Sequence, residues 1–172
     1  NTFEGGLLVS RNDKVKRRVD HLKNFGFVSE TSVIEPGING KLSEFNSMIG
    51  VHQLKYMPAI LEARGVRDAA YRQRLGAIAG IRCGESIRQT VRNYAYFPIF
   101  VEDAFPLSRD ALYDYLKQHG IAGRRYFYPL ISEFPVYSGL PSAAANHLPV
   151  AFDASRRVIC LPLYPDLDLS DL

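Results

Sequence analysis

A chain of 172 residues with 47% apolar and 23% charged residues has the composition of an ordinary globular protein, long enough for one sizeable core. The formal net charge is only +3, and cations alternate with acids, which argues against nucleic acid as a partner; the densest basic run, Lys14-Val15-Lys16-Arg17-Arg18, spreads around a helix as a solvated face. No apolar run approaches the ~20 residues of a transmembrane helix, so no membrane partner is expected, and Cys83 and Cys160 read as buried thiols of a reducing, cytoplasmic compartment.

In chain order, Leu7-Leu8-Val9 is a short apolar run after two glycines and predicts a strand. Asn12 or Asp13 can cap a helix that carries Val15, Val19 and Leu22 at helical spacing, with Gly26 as a left-handed stop. Residues 27–41 are polar and broken by Pro36 and glycines, so they read as loop. From Ser43 the pattern is helical. Phe45, Ile49, His52 and Tyr56 form a stripe with Met48, Val51 and Leu54 beside it, a breadth that predicts a well-buried helix. Pro58 can open a further helix that runs to about Ala79. Tyr94–Val101 is aromatic and β-branched and predicts a strand, with Pro98 placing it at an edge or delaying its start. Ser108 caps a helix through Leu112, Tyr115 and Leu116 that Gly120 stops. Ile121–Tyr128 should be a strand, a Pro- and Ser-rich loop follows, and Val158–Leu163 gives the last strand. This order after residue 90 predicts a small α+β lobe.

Two segments have residue types that suit chemistry. The run Gly37-Ile38-Asn39-Gly40-Lys41-Leu42-Ser43-Glu44 is a glycine-flexed loop with one amide and one cation, opening into a helix. Free N–H groups and the positive dipole end of that helix suit a phosphate. Asn39 either donates to a phosphate oxygen or is there for its turn conformation. Lys41 either meets a substrate phosphate or is a solvated loop cation. The second segment is Arg124-Arg125-Tyr126-Phe127-Tyr128-Pro129-Leu130. In a strand, Tyr126 and Tyr128 share one face, Arg125 and Phe127 the other. One face would meet a sugar ring while Phe127 enters the core; the other reading is an ordinary aromatic strand. His21, His52, His119 and His147 have no metal-ligand spacing, and no P-loop, dinucleotide fingerprint or nucleophile elbow occurs. Asp166 and Asp168 read as a solvated pair.

Asn1-Thr2-Phe3-Glu4-Gly5-Gly6-Leu7-Leu8-Val9, the Asn39 loop and the Arg124–Leu130 run, in that order, resemble the DegT/DnrJ/EryC1/StrS nucleotide-sugar aminotransferases. The resemblance covers nearly all of the chain. It implies an α/β fold, the C-terminal part of an aspartate-aminotransferase-like (fold type I) enzyme. Residues 1–57 would be the end of the large cofactor-binding domain with its interface loop, 58–79 a linking helix and 80–172 the small C-terminal α+β domain. The cofactor implied is pyridoxal 5'-phosphate. The partner implied is a second subunit of a homodimer, whose Asn39 reaches the cofactor phosphate across a shared active site. Lys41 stands where many members have Arg, and with Arg125, Tyr126 and Tyr128 it is expected near a nucleotide-sugar substrate. No catalytic residue is assigned in this chain, because the family's Schiff-base lysine precedes the stretch matching Asn1–Gly6. The chain therefore reads as an internal piece of a longer protein.

The activity implied is transfer of an amino group, with glutamate the expected donor, to a dTDP-linked keto-deoxysugar in polysaccharide or antibiotic-sugar synthesis. Two other readings stand beside it. The same fold hosts sugar dehydratases in which histidine replaces the lysine, and an α+β module with an aromatic binding strand needs no catalysis at all.

Overall fold

The computed structural model describes residues 2–85 and 90–172. The chain divides into two compact units, Asn1–Met57 and Pro58–Leu172.

In the first unit, helix α1 (Asp13–Leu22) starts where Asn12 Oδ1 accepts from the Lys14 and Val15 amides at 2.9 and 3.4 Å. It ends at Leu22, earlier than a Gly26 stop implies. Gly26 instead makes a turn at φ +82°, and a Cβ there would lie 1.7 Å from the Glu35 carbonyl oxygen, so only glycine fits. Helix α2 (Glu44–Leu54) is capped by Ser43 Oγ, which accepts from the Asn46 amide at 3.1 Å. The start agrees with the sequence, but the expected burial does not. No residue of α2 is buried, and Phe45, Met48 and Val51 are 59%, 60% and 65% exposed. Its apolar residues surround the axis instead of forming one stripe, and the segment around Phe3 lies on one side of it. The Phe3 and Phe45 rings stack at 6.2 Å, and Asn46 Nδ2 donates to the Glu4 carbonyl at 3.1 Å. Leu7-Leu8-Val9 is no strand. The three residues are exposed, and among the described residues no strand lies beside them to pair with.

The second unit holds a three-stranded antiparallel sheet of β1 (Ile81–Cys83), β2 (Phe97–Val101) and β3 (Val158–Leu161), in that order across the sheet. Helices α3 (Met57–Leu75), α4 (Arg109–Gln118) and α5 (Pro149–Arg157) complete it. Strand β2 alternates, burying Phe97, Ile99 and Val101 while Pro98 and Phe100 stay half-buried. The inward residues join Tyr71 of α3, Leu112 of α4, Ile159 of β3 and Leu167 in one core. Phe97 and Ile159 are fully buried, and burying each contributes about 1.5–3 kcal/mol.

Several expectations change here. Strand β2 begins at Phe97, so Pro98 does mark a late start, yet β2 is central and not an edge strand. Pro98 pairs with Cys160, whose own N–H and C=O bond Arg124 on the far side of β3. The proline carbonyl turns the other way and accepts from Gly84 at 2.9 Å, just beyond the end of β1; the proline nitrogen has no hydrogen to return, and the Gly84 carbonyl accepts from Arg72 at 2.8 Å instead. The strand expected over Ile121–Tyr128 is reduced to one bridge, Arg124 with Cys160, and Tyr126-Phe127 form a turn. Strand β3 stops at Leu161, two residues short of the expected end. Strand β1 and helix α5 were not anticipated. The long helix stops at Leu75 rather than Ala79, and its Tyr71 ring stacks on Phe97 at 4.7 Å inside this unit's core. Cys160 is buried and Cys83 half-buried, and burial pushes both thiols up.

Candidate functional site

The candidate residues fall in two places, one in each unit. In the first, the loop around Asn39 is pinned to the C-terminal end of α1. Ile38 donates to the Leu22 carbonyl and Gly40 to Lys23, both at 2.8 Å, Phe25 donates to Ile38 at 3.0 Å, and Asn24 and Asn39 form a bridge. Gly37 is required by this packing: a Cβ would lie 2.3 Å from the Gly26 nitrogen and 2.6 Å from the Leu22 carbonyl oxygen. Glycine freedom thus serves close approach of backbone to backbone. Asn39 is exposed, and its amide group has no partner among the described residues. Lys41 folds back, donating to Asn24 Oδ1 at 2.9 Å and lying 4.8 Å from the Phe25 ring centre. The first turn of α2, expected to face a phosphate, has one donor taken by Ser43 and carries the Glu44 carboxylate.

In the second unit, a cleft of about 520 Å³ is lined by the turn residues Tyr126, Phe127 and Tyr128, by Phe134, and by Leu148 and Ala151 at the start of α5. The turn removes the strand alternation, so the shared-face argument for the two tyrosines does not apply. Tyr126 stacks on Phe127 at 4.7 Å and meets Tyr96 edge-on at 5.4 Å. Phe127, expected in the core, is 67% exposed. Its ring belongs to the cleft wall instead.

The turn is held from α4. Arg125 donates to Asp110 Oδ1 at 2.9 Å and its guanidinium lies 4.4 Å from the Tyr113 ring centre. Arg109, buried, lies 4.5 Å from the Tyr128 ring centre and donates to the Ser155 carbonyl at 2.8 Å. Burial alone would raise the Asp110 carboxyl. The Arg125 hydrogen bond and the charges of Arg109 and Arg125 outweigh it and hold the carboxyl below the usual range. Sequence reasoning named Arg125, Tyr126 and Tyr128 but missed Arg109, Asp110, Phe134 and the wall from α5. A first-turn arginine beside a cap residue reads as exposed, and nothing in the local pattern marks it as buried. No group of three or more acids, cysteines or histidines that could hold a metal occurs among the described residues.

Known structures share this arrangement of helices and small sheet. DesI, solved in the presence of its TDP-sugar product, superposes with a TM-score of 0.87 at 29% identity, over 99% of this chain and 43% of that one. This is the fold of the sugar aminotransferases, in the region that corresponds to the C-terminal part expected from sequence. The DegT/DnrJ/EryC1/StrS aminotransferase family model matches residues 1–172, and the chain belongs to that family. It is 46% identical over 166 residues to the dTDP-4-amino-4,6-dideoxy-D-glucose transaminase of Escherichia coli, and 42% identical to that of Shigella dysenteriae. In both cases the match covers 96% of this chain and 45% of the relative, so the chain spans less than half the length of these relatives.

Proposed function

We propose that this chain is part of a pyridoxal phosphate-dependent aminotransferase that moves an amino group from an amino acid, expected to be glutamate, to a dTDP-linked keto-deoxysugar. The observation that carries this reading is the 46% identity, over nearly the whole chain, to a dTDP-sugar transaminase. It favours amino transfer over the dehydratase reading, and family membership disfavours a non-enzymatic module.

The residues present fit the cofactor at one point. Asn39 offers an unpaired, exposed amide on a pinned backbone, the donor a phosphate needs. In this reading the enzyme is a cytoplasmic homodimer, and Asn39 serves the cofactor of the neighbouring subunit. Bound there, pyridoxal phosphate supplies an electron sink for moving the amino group. The lysine that holds it is assigned to no residue of this chain. Lys41, Arg125, Tyr126 and Tyr128 are assigned to the nucleotide sugar. Lys41 and Arg125 would serve it as charges already steadied by Asn24 and Asp110.

The full-length protein, loaded with cofactor and given glutamate and a dTDP-linked 4-keto-6-deoxyhexose, should yield the aminated sugar with equimolar 2-oxoglutarate. Loss of water from the sugar without consumption of glutamate would instead identify a dehydratase and overturn the reading.

A further inference from the structure

One buried cation ties the two walls of the aromatic cleft together. Arg109, the first residue of α4, is 6% exposed. Its guanidinium donates to the Ser155 carbonyl of α5 at 2.8 Å and lies 3.4 Å from the Val158 carbonyl at the start of β3. The Tyr128 ring sits against the guanidinium, 4.5 Å from centre to carbon. Asp110 Oδ1 lies 2.8 Å from Nε, and the same oxygen accepts from Arg125. Tyr128 lines one wall of the cleft, and Leu148 and Ala151, at the head of α5, line another. A guanidinium this buried needs partners for its charge and its face. Here Nη1 meets two backbone carbonyls and the tyrosine ring covers the face, while Nε, buried without a hydrogen bond among the described residues, is paired with the Asp110 carboxylate by charge.

We propose that Arg109 is a positioning residue for nucleotide-sugar binding. It fixes Tyr128 relative to α5 and so sets the width of the cleft; this rests on the reading that the cleft takes the substrate. Lysine cannot replace it, because an ammonium has neither the planar face for the ring nor the forked donors for the carbonyls.

The test is a double-mutant cycle in the full-length, cofactor-loaded enzyme. The variants are Arg109→Lys, Tyr128→Leu and both together, with Arg109→Gln repeating the cycle so that the outcome does not hang on one variant's folding. Arg109→Lys should raise KM for the nucleotide sugar about 5–10-fold, the scale of a partly desolvated cation–π contact. Conversion of the bound cofactor by glutamate alone should change less than twofold. In the Tyr128→Leu background the Arg109 effect should nearly vanish, because the residue acts through that ring. A KM effect from Tyr128→Leu with none from Arg109→Lys, or fully additive effects, would overturn the positioning role alone. No KM effect from Tyr128→Leu would overturn the reading of the cleft as well. Equal losses in both half-reactions would reduce Arg109 to a general structural part and refute the proposal.

Discussion

Asp68→Asn should be among the most destabilising isosteric changes in the second unit. Asp68 is 4% exposed on α3, and its Oδ2 accepts from Arg72 Nε at 2.7 Å and from Arg92 at 2.8 Å. Arg72 also donates to the Gly84 carbonyl at 2.8 Å and lies 5.3 Å from the Phe97 ring centre, so the carboxylate anchors the cation that closes β1 against the core. Asparagine keeps the volume and one acceptor but removes the counter-charge from two cations. Its amide nitrogen gains nothing at the Oδ1 position, which is buried without a partner among the described residues. Removing one partner of a buried pair costs roughly 3–5 kcal/mol. The two arginine side chains are 29% and 23% exposed, and solvent screening lowers the expectation to about 2–3 kcal/mol. In urea, with a slope of about 2 kcal/mol per molar, the midpoint should fall by about 1 M without a change in slope. Adding Arg72→Met to the variant should cost less than it does in the wild type, because that cation has already lost its partner. A midpoint shift corresponding to less than about 0.5 kcal/mol would refute the argument, placing the stability of this corner in packing and not in the ion pairs.

Two further outcomes are expected. Asn39→Ala should weaken cofactor retention about 10–100-fold, the loss of one hydrogen bond to a charged group; mixed dimers with a lysine-dead subunit should regain one working site if Asn39 acts across the interface, and none if it acts within its own subunit. Burial pushes the Tyr71 phenol up to about 12, and its hydroxyl donates to the Pro162 carbonyl at 3.0 Å. A folded pKa above the unfolded value of about 10 means that this contribution is whole below pH 10 and disappears as pH rises through 12. An ultraviolet titration should show one late tyrosine that Tyr71→Phe removes, and identical curves for the two proteins would contradict the assignment.

What could be read in the sequence was local. Asn12, Ser43 and Ser108 cap helices because a side-chain oxygen two or three residues before an orphan amide is enough to start one. The alternation Phe97, Ile99, Val101 marks the core face of β2 without reference to its neighbours. What failed depended on partners distant in sequence. Strand β1 is only Ile81–Cys83 and exists through its pairing with β2. Leu7-Leu8-Val9 has strand composition and, among the described residues, no strand beside it. Helix α5 starts at Pro149 inside a Pro- and Ser-rich stretch, and Arg157 secures its end by pairing with Asp153, Glu102 and Asp103. The aromatic segment named in the sequence lines one wall of the cleft, while the turn at Tyr126-Phe127 removes the argument about faces.

The Asn39 loop shows why residue types alone misjudge how a glycine-rich segment is held. Two glycines around one amide read as flexibility, and a flexible loop orders on binding at a free-energy cost. The structure puts Gly37 and Gly40 to another use. They let the loop lie so close to the end of α1 that three backbone hydrogen bonds hold Ile38–Gly40 in place, two of them making the Asn24–Asn39 bridge. The Asn39 side chain is then the exposed tip of a backbone already ordered, and a ligand that meets it restricts only that side chain. Lys41, two residues on, is likewise steadied by Asn24 and the Phe25 ring. Preorganisation of this kind ties the candidate site to the packing of α1, so a bulkier residue at Gly37 should weaken ligand binding through the backbone, without touching the amide itself.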